Sequence, residues 1–209
     1  MDFLVVALMS IVVLQTRIME LRLATILLAV QSATIALACF AVGLTHGSGL
    51  HAVLPGILTL VVKVLFIPYA ILYVVQGLRD EREIVSDINV NYSTAVAAAA
   101  LALSYMVIDS LLPGTAGRDL LATSMFMFMT GIALIVMRSR AVMQMIGMIT
   151  MENGIYLLGL IMTEGLPLVI ELGVFLDVLI AVVILVILTS RLRLSFNTTD
   201  TNVMQKLKG

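Results

Sequence analysis

The sequence predicts an all-α membrane protein with about seven transmembrane helices, and three observations predict it. The 209-residue chain is 61% hydrophobic and only 12% charged, with a mean hydropathy of +1.15. A soluble domain is nearer a quarter charged. Apolar runs of about 20 residues recur along it, enough to cross a bilayer as helices. Its Lys and Arg residues gather in alternate links, as membrane insertion requires.

The expected helices are Asp2–Thr16, Leu23–Leu44, Ala52–Gly77, Tyr92–Leu112, Asp119–Met137, Ala141–Thr163 and Pro167–Ser190. The first is the shortest. Its apolar core, Phe3–Leu14, has 12 residues, and Gln15 and Thr16 can extend it. It either crosses a locally thinned bilayer or stays interfacial. The segment Met1-Asp2-Phe3 has no positive region and no convincing cleavage site follows, so no cleavable signal peptide is expected. The last two helices meet at a turn around Glu164, Gly165 and Leu166.

With seven spans, one side holds the N-terminus and the links His46–His51, Pro113–Arg118 and Glu164–Leu166, and its one cation is Arg118. The other side holds Arg17, Arg22, Arg79, Arg82, Arg138, Arg140, Arg191, Arg193, Lys206 and Lys208. That asymmetry predicts a cytoplasmic C-terminus and an external N-terminus. The link Leu78–Asn91 mixes both signs and reads as a solvated surface or a docking segment. The tail Leu192–Gly209 reads as polar coil; Asn197-Thr198-Thr199 fits a glycosylation pattern that has no meaning on a cytoplasmic side.

Arg17 precedes Gln31 by the 14 residues that separate Arg138 from Glu152. Leu60-Val61-Val62-Lys63-Val64-Leu65 resembles Val174-Phe175-Leu176-Asp177-Val178-Leu179. These matches suggest a parallel three-helix repeat, with Gln31 and Lys63 in the places of Glu152 and Asp177. The chain then divides into 1–91, a three-helix unit with its cytoplasmic link; 92–118, a connecting helix; 119–190, a second three-helix unit; and 191–209, a cytoplasmic tail.

The chemistry lies in ionisable residues inside these runs. Glu152 and Asp177 sit near the middle of consecutive helices, where an acid costs roughly 2.5–3.5 kcal/mol on insertion scales. Such a carboxyl group can relay protons, or it can hold helices together by a hydrogen bond. Tyr156, four residues on, shares a face with Glu152; Asn153 lies on an adjacent face. Asp177 has no polar side chain within a turn and needs a partner elsewhere. Lys63, five residues before the kink-favouring Pro68, either shuttles protons or neutralises one of the acids permanently. Asp109 and Glu171, near outer helix ends, read as interfacial anchors before relay stations.

Several classes are excluded or disfavoured. No basic patch suits nucleic acid. The single Cys39 cannot form an internal disulfide. His46 and His51 have no acid or Cys pattern beside them, so no metal site is expected. The Met-rich runs Met125–Met129 and Met143–Met151 read as adaptable packing. No nucleophile–base set, phosphate loop or haem pair occurs. Mid-membrane acids without a redox centre suggest one component of a larger machine.

The final 90 or so residues resemble the K subunit of respiratory complex I and the C subunit of multisubunit cation/proton antiporters, in Arg138-Ser139-Arg140, Ile146-Gly147, the two helix-borne acids and the Arg-bearing tail. The whole layout, and Met151-Glu152-Asn153-Gly154-Ile155-Tyr156 most of all, is similar to the hydrogenase-4 component E family of formate-hydrogenlyase-type complexes. Glu152 departs from the K-type pattern by lying about one turn later, roughly 4–5 Å along the axis. The resemblance implies a multi-pass subunit of a prokaryotic inner (cytoplasmic) membrane that contributes to proton or sodium translocation, with Glu152, Asp177 and Lys63 as stations. It implies antiporter-like membrane subunits, a complex I-like membrane anchor and peripheral hydrogenase subunits as partners. Iron–sulfur clusters and a NiFe centre are expected in those partners, and no cofactor in this chain. The alternatives are a subunit of a cation/proton antiporter, or a structural adaptor whose charges are locked in ion pairs.

Overall fold

The computed structural model describes residues 2–46, 56–76, 90–115 and 117–162. Those residues are helical, without a strand. The helices are α1 (Asp2–Arg17), α2 (Leu21–His46), α3 (residues 56–76), α4 (Val90–Leu111), α5 (Arg118–Met137) and α6 (Ala141–Met162). Among the described residues, five helices, α2 to α6, are long and apolar enough to cross a membrane. Helix α1 falls short: 16 residues rise about 24 Å against a hydrocarbon thickness of about 30 Å. The expected helix Pro167–Ser190, the greater part of the link Leu78–Asn91 and the tail lie outside the described residues.

Outer faces are apolar: Phe3, Leu37, Tyr69, Met106, Leu111 and Val136 are all more than 60% exposed. This inversion of a soluble surface suits lipid or a membrane partner. Buried hydroxyls close on their own helices. Thr25 donates to Leu21 O and Ser104 to Ala100 O, each at 2.7 Å, as backbone-directed bonding provides where water is absent.

Helix α6 is the centre of the bundle, and its tightest neighbour is α5. A Cβ on Gly131 would lie 2.5 Å from Met151 N and 2.7 Å from Gly147 O. One on Gly154 would lie 2.7 Å from both Phe128 N and Ser124 O. Here backbone meets backbone, which only glycine permits. The chain reverses between α4 and α5 through Gly114 and Gly117, at φ 76° and 81°. Arg118 forks onto Asp109 there, at 2.5 and 2.6 Å. Both groups are about half exposed.

The links 18–20 and 138–140 turn alike. Ile18 N donates to Leu14 O and Arg138 N to Leu134 O, each at 3.1 Å. Glu20 O and Arg140 O then accept from the first turns of α2 and α6. Counted from these two turns, Ser32 falls at the place that Glu152 holds after its own turn, one residue beyond the Gln31 that the arginine spacing set there.

Helix α3 contains a π-helical segment, Leu60–Phe66, closed by Ile67 N on Val62 O. Its cause is Pro68, which has no N–H for the usual ladder and crowds the preceding turn. Thr59, Lys63, Ile67, Ile71 and Val75 are all buried, a strict four-residue step. On an α-helix four residues overshoot a turn by roughly 40°. A π turn holds more residues and drifts the other way, so the stripe stays on one face.

We expect Gly131→Val and Gly154→Val to destabilise the protein by about 3 kcal/mol or more, at the upper end of overpacking costs, because backbone must move. At Gly114 an added methyl would meet nothing within 4 Å, so Gly114→Ala should cost only about 1 kcal/mol, through the left-handed backbone there. Thermal unfolding in detergent measures both.

Candidate functional site

Two apolar clusters divide the bundle along its length. One joins Leu21, Ala24 and Leu28 of α2, Ile67, Ile71 and Val75 of α3, and the α6 run from Val142 to Ile149. The other joins Leu8 and Val12 of α1, Ile35 and Cys39 of α2, Phe126 and Met127 of α5, and Tyr156, Leu157 and Leu160 of α6. Between them α2, α3 and α6 present polar groups: Gln31 and Ser32 on α2, Thr59 and Lys63 on α3, Thr150, Glu152 and Asn153 on α6. All are buried.

At the centre of this layer Lys63 Nζ lies 2.6 Å from Glu152 Oε1, with the lysine side chain 1% and the glutamate 9% exposed. Lys63 Nζ also donates to Asn153 Oδ1 at 3.0 Å. Asn153 Nδ2 in turn donates to Ser32 Oγ at 3.2 Å, which fixes its carbonyl towards the ammonium. The ring of Tyr156 lies beneath the lysine, 5.2 Å from Nζ to the centroid, within cation–π range. Its hydroxyl accepts from Cys39 Sγ at 3.4 Å. Glu152 Oε2 has no hydrogen bond among the described residues.

A second cluster adjoins the first, one turn back on α6. Thr150 Oγ1 lies 3.4 Å from Gln15 Oε1 and 3.5 Å from Gln31 Oε1. Gln15 Nε2 reaches Gln31 Oε1 at 3.4 Å. Beside it Arg138 Nη2 donates to Thr16 O at 2.6 Å; Arg138 is 3% exposed.

The structure thus brings together Lys63, Glu152, Asn153 and Tyr156. Lys63 meets Glu152, one of the two acids the sequence offered it. Asn153 was expected only as a neighbour on another face; the lysine sits between it and Glu152 and uses both. Tyr156 joins through its ring, and its hydroxyl faces Cys39. Gln31 lies in the second cluster. Asp109 is apart, at the exposed end of α4. Asp177 and Glu171 lie outside the described residues. Sequence reading missed the roles of Ser32, Gln15 and Thr150, single uncharged residues with no pattern of their own. It also missed Gly147 and Gly154, whose seven-residue spacing marks one helix face. Among the described residues no three His, Cys, Asp or Glu converge on a metal site.

Removing one partner of a buried pair strands the other charge. We expect Glu152→Leu to destabilise the chain by about 3–5 kcal/mol, and Lys63→Met/Glu152→Leu to recover most of that loss. A double-mutant cycle by thermal unfolding tests it.

No protein-family model matches the chain, and no solved structure does. The chain is 30% identical over 156 residues to the uncharacterized protein Rv0085 of Mycobacterium tuberculosis, covering 73% of this chain and 71% of that one. It is 26% identical over 151 residues to hydrogenase-4 component E of Escherichia coli K12, covering 71% and 70% respectively; the Shigella flexneri protein of that name matches equally. The chain therefore belongs to the family of the Mycobacterium tuberculosis protein Rv0085, with hydrogenase-4 component E as a more distant relative.

Proposed function

We propose that this chain is a membrane subunit of a hydrogenase-type, energy-converting complex, and that its buried charges relay protons (or couple to sodium) through the membrane arm. The observation that carries the reading is the Lys63–Glu152 pair. An ion pair deep among apolar helices is costly to build, and it is useful where charge must pass. The similarity to hydrogenase-4 component E supports the kind of complex.

In this reading a proton arrives at Glu152 Oε2, which has no hydrogen bond among the described residues. Neutralising the carboxylate weakens its hold on Lys63, while Asn153 still accepts from the lysine. The lysine can then pass a proton on, and Asp177, in the expected seventh helix, is the proposed next station. The chain is proposed to cross a prokaryotic cytoplasmic membrane seven times, with the Arg17–Arg138 side cytoplasmic. Its two helical units, α1 to α3 and the unit beginning at α5, are proposed to be parallel copies in the register set by Ile18 and Arg138. Antiporter-like membrane subunits, a complex I-like anchor and peripheral hydrogenase subunits with iron–sulfur and NiFe centres are the proposed partners.

One observation favours a second reading. The 2.6 Å contact between Lys63 and Glu152, braced by Asn153, is also what a permanent structural lock requires, as in an adaptor between membrane modules.

Purification in mild detergent, with identification of every attached chain, tests the complex: peripheral metal-containing subunits are expected, and only antiporter-like chains would point to an antiporter instead. Glu152→Gln in the intact complex should abolish most proton pumping in vesicles. Normal pumping in both Glu152→Gln and Asp177→Asn would overturn the relay. Loss of assembly rescued by exchanging the two charges, Lys63→Glu with Glu152→Lys, would establish the lock.

A further inference from the structure

The Gln15–Gln31–Thr150 cluster does not balance its donors and acceptors. Thr150 has one hydroxyl proton, and Ile146 O takes it at 2.8 Å. The carbonyl oxygens of Gln15 and Gln31, at 3.4 and 3.5 Å from Thr150 Oγ1, therefore face an oxygen with no proton left to give. At the same time Gln31 Nε2 is a buried donor without an acceptor among the described residues. Exchanging the nitrogen and oxygen of the Gln31 amide alone sets its nitrogen against Gln15 Nε2. Exchanging both amides lets the glutamines donate to Thr150 Oγ1, but the Gln31 oxygen then becomes the orphan, so in every assignment one buried atom of Gln31 lacks a partner among the described residues. All three side chains are at most 1% exposed, and an unmade hydrogen bond at such depth is expensive.

A molecule that both donates and accepts reconciles the set, and the loose 3.4–3.5 Å contacts leave the trio open to one. We propose that Gln15, Gln31 and Thr150 hold buried water, and that this water connects the Arg138 side of the bundle to the Lys63–Glu152 pair. Buried waters satisfy such unpaired groups with two to four hydrogen bonds. The continuity is set by two helices. On α2, Gln31 is followed by Ser32, the partner of Asn153. On α6, Thr150 lies one turn from Asn153. In the other direction Gln15 adjoins Thr16, whose carbonyl accepts from Arg138. Polar groups therefore recur at neighbouring positions from the link at 138–140 to the ion pair, and water is what would join them.

The role of this water as a supply path rests on the relay reading; its presence does not. Single cysteines report it in membrane vesicles carrying the assembled complex, in a Cys39→Ser background that removes the chain's one native thiol. The probes are Gln31→Cys and the near-isosteric Thr150→Cys, with Leu28→Cys, fully buried in the apolar cluster, as the dry control. The reagent is a small water-soluble methanethiosulfonate. A hydrated thiol ionises and reacts, whereas one in apolar surroundings stays inert. Both probe sites should react at least roughly tenfold faster than Leu28→Cys. Rates equal to the dry control at both sites would overturn the water site, whatever Glu152→Gln does to pumping. Fast labelling together with undiminished pumping in Glu152→Gln would keep the water and reject the relay it was proposed to feed.

Discussion

Everything in this bundle is subordinate to one constraint: a polar group buried among apolar helices must find its partner inside the protein. Lys63 and Glu152 satisfy it for each other, and they do so only because four elements agree. Pro68 makes the π segment that keeps the lysine on the inner stripe. Asn153, held by Ser32, offers the second acceptor. Tyr156 places its ring beneath the ammonium. Glycines 131, 147 and 154 let α5 approach α6 closely enough to wall the layer off from lipid. The two apolar clusters flank the layer along the bundle.

Much of the fold was legible in the sequence. Helix ends fell within a few residues of expectation, because Pro113-Gly114 and Arg138-Ser139-Arg140 break the apolar runs where helices must stop. Hydropathy made the membrane class plain, since 61% apolar residues cannot be hidden inside a soluble chain of this size. The short first helix stayed ambiguous for a physical reason: 16 residues fit neither a full span nor an ordinary interfacial helix comfortably.

The site was legible only in its charges. Glu152 and Lys63 declare themselves because a charge in an apolar run is costly and needs a partner, whether for relay or for packing. That Glu152 meets the lysine depends on helix packing that spacing along one chain does not contain. Ser32 and Thr150 were invisible, since a lone Ser or Thr in a membrane helix commonly bonds its own backbone, as Thr25 and Ser104 do here; Gln15 read only as a polar extension of the first helix. The four-residue step from Thr59 to Val75 was present in the sequence all along. It runs counter to ordinary α-helical periodicity, and it becomes informative once Pro68 is read as altering the helical repeat as well as bending the axis.

That altered repeat has an evolutionary corollary. The wide turn acts as one surplus residue in α3. A related gene that lost a single codon inside the wide turn would close it into an unbroken α-ladder and leave the segments on either side facing much as before. Tightening the turn at full length instead, as a residue other than proline at position 68 would allow, rotates everything upstream by up to roughly 100° and turns the lysine away from Glu152. A residue that never touches the ion pair therefore decides whether the charge stays inside.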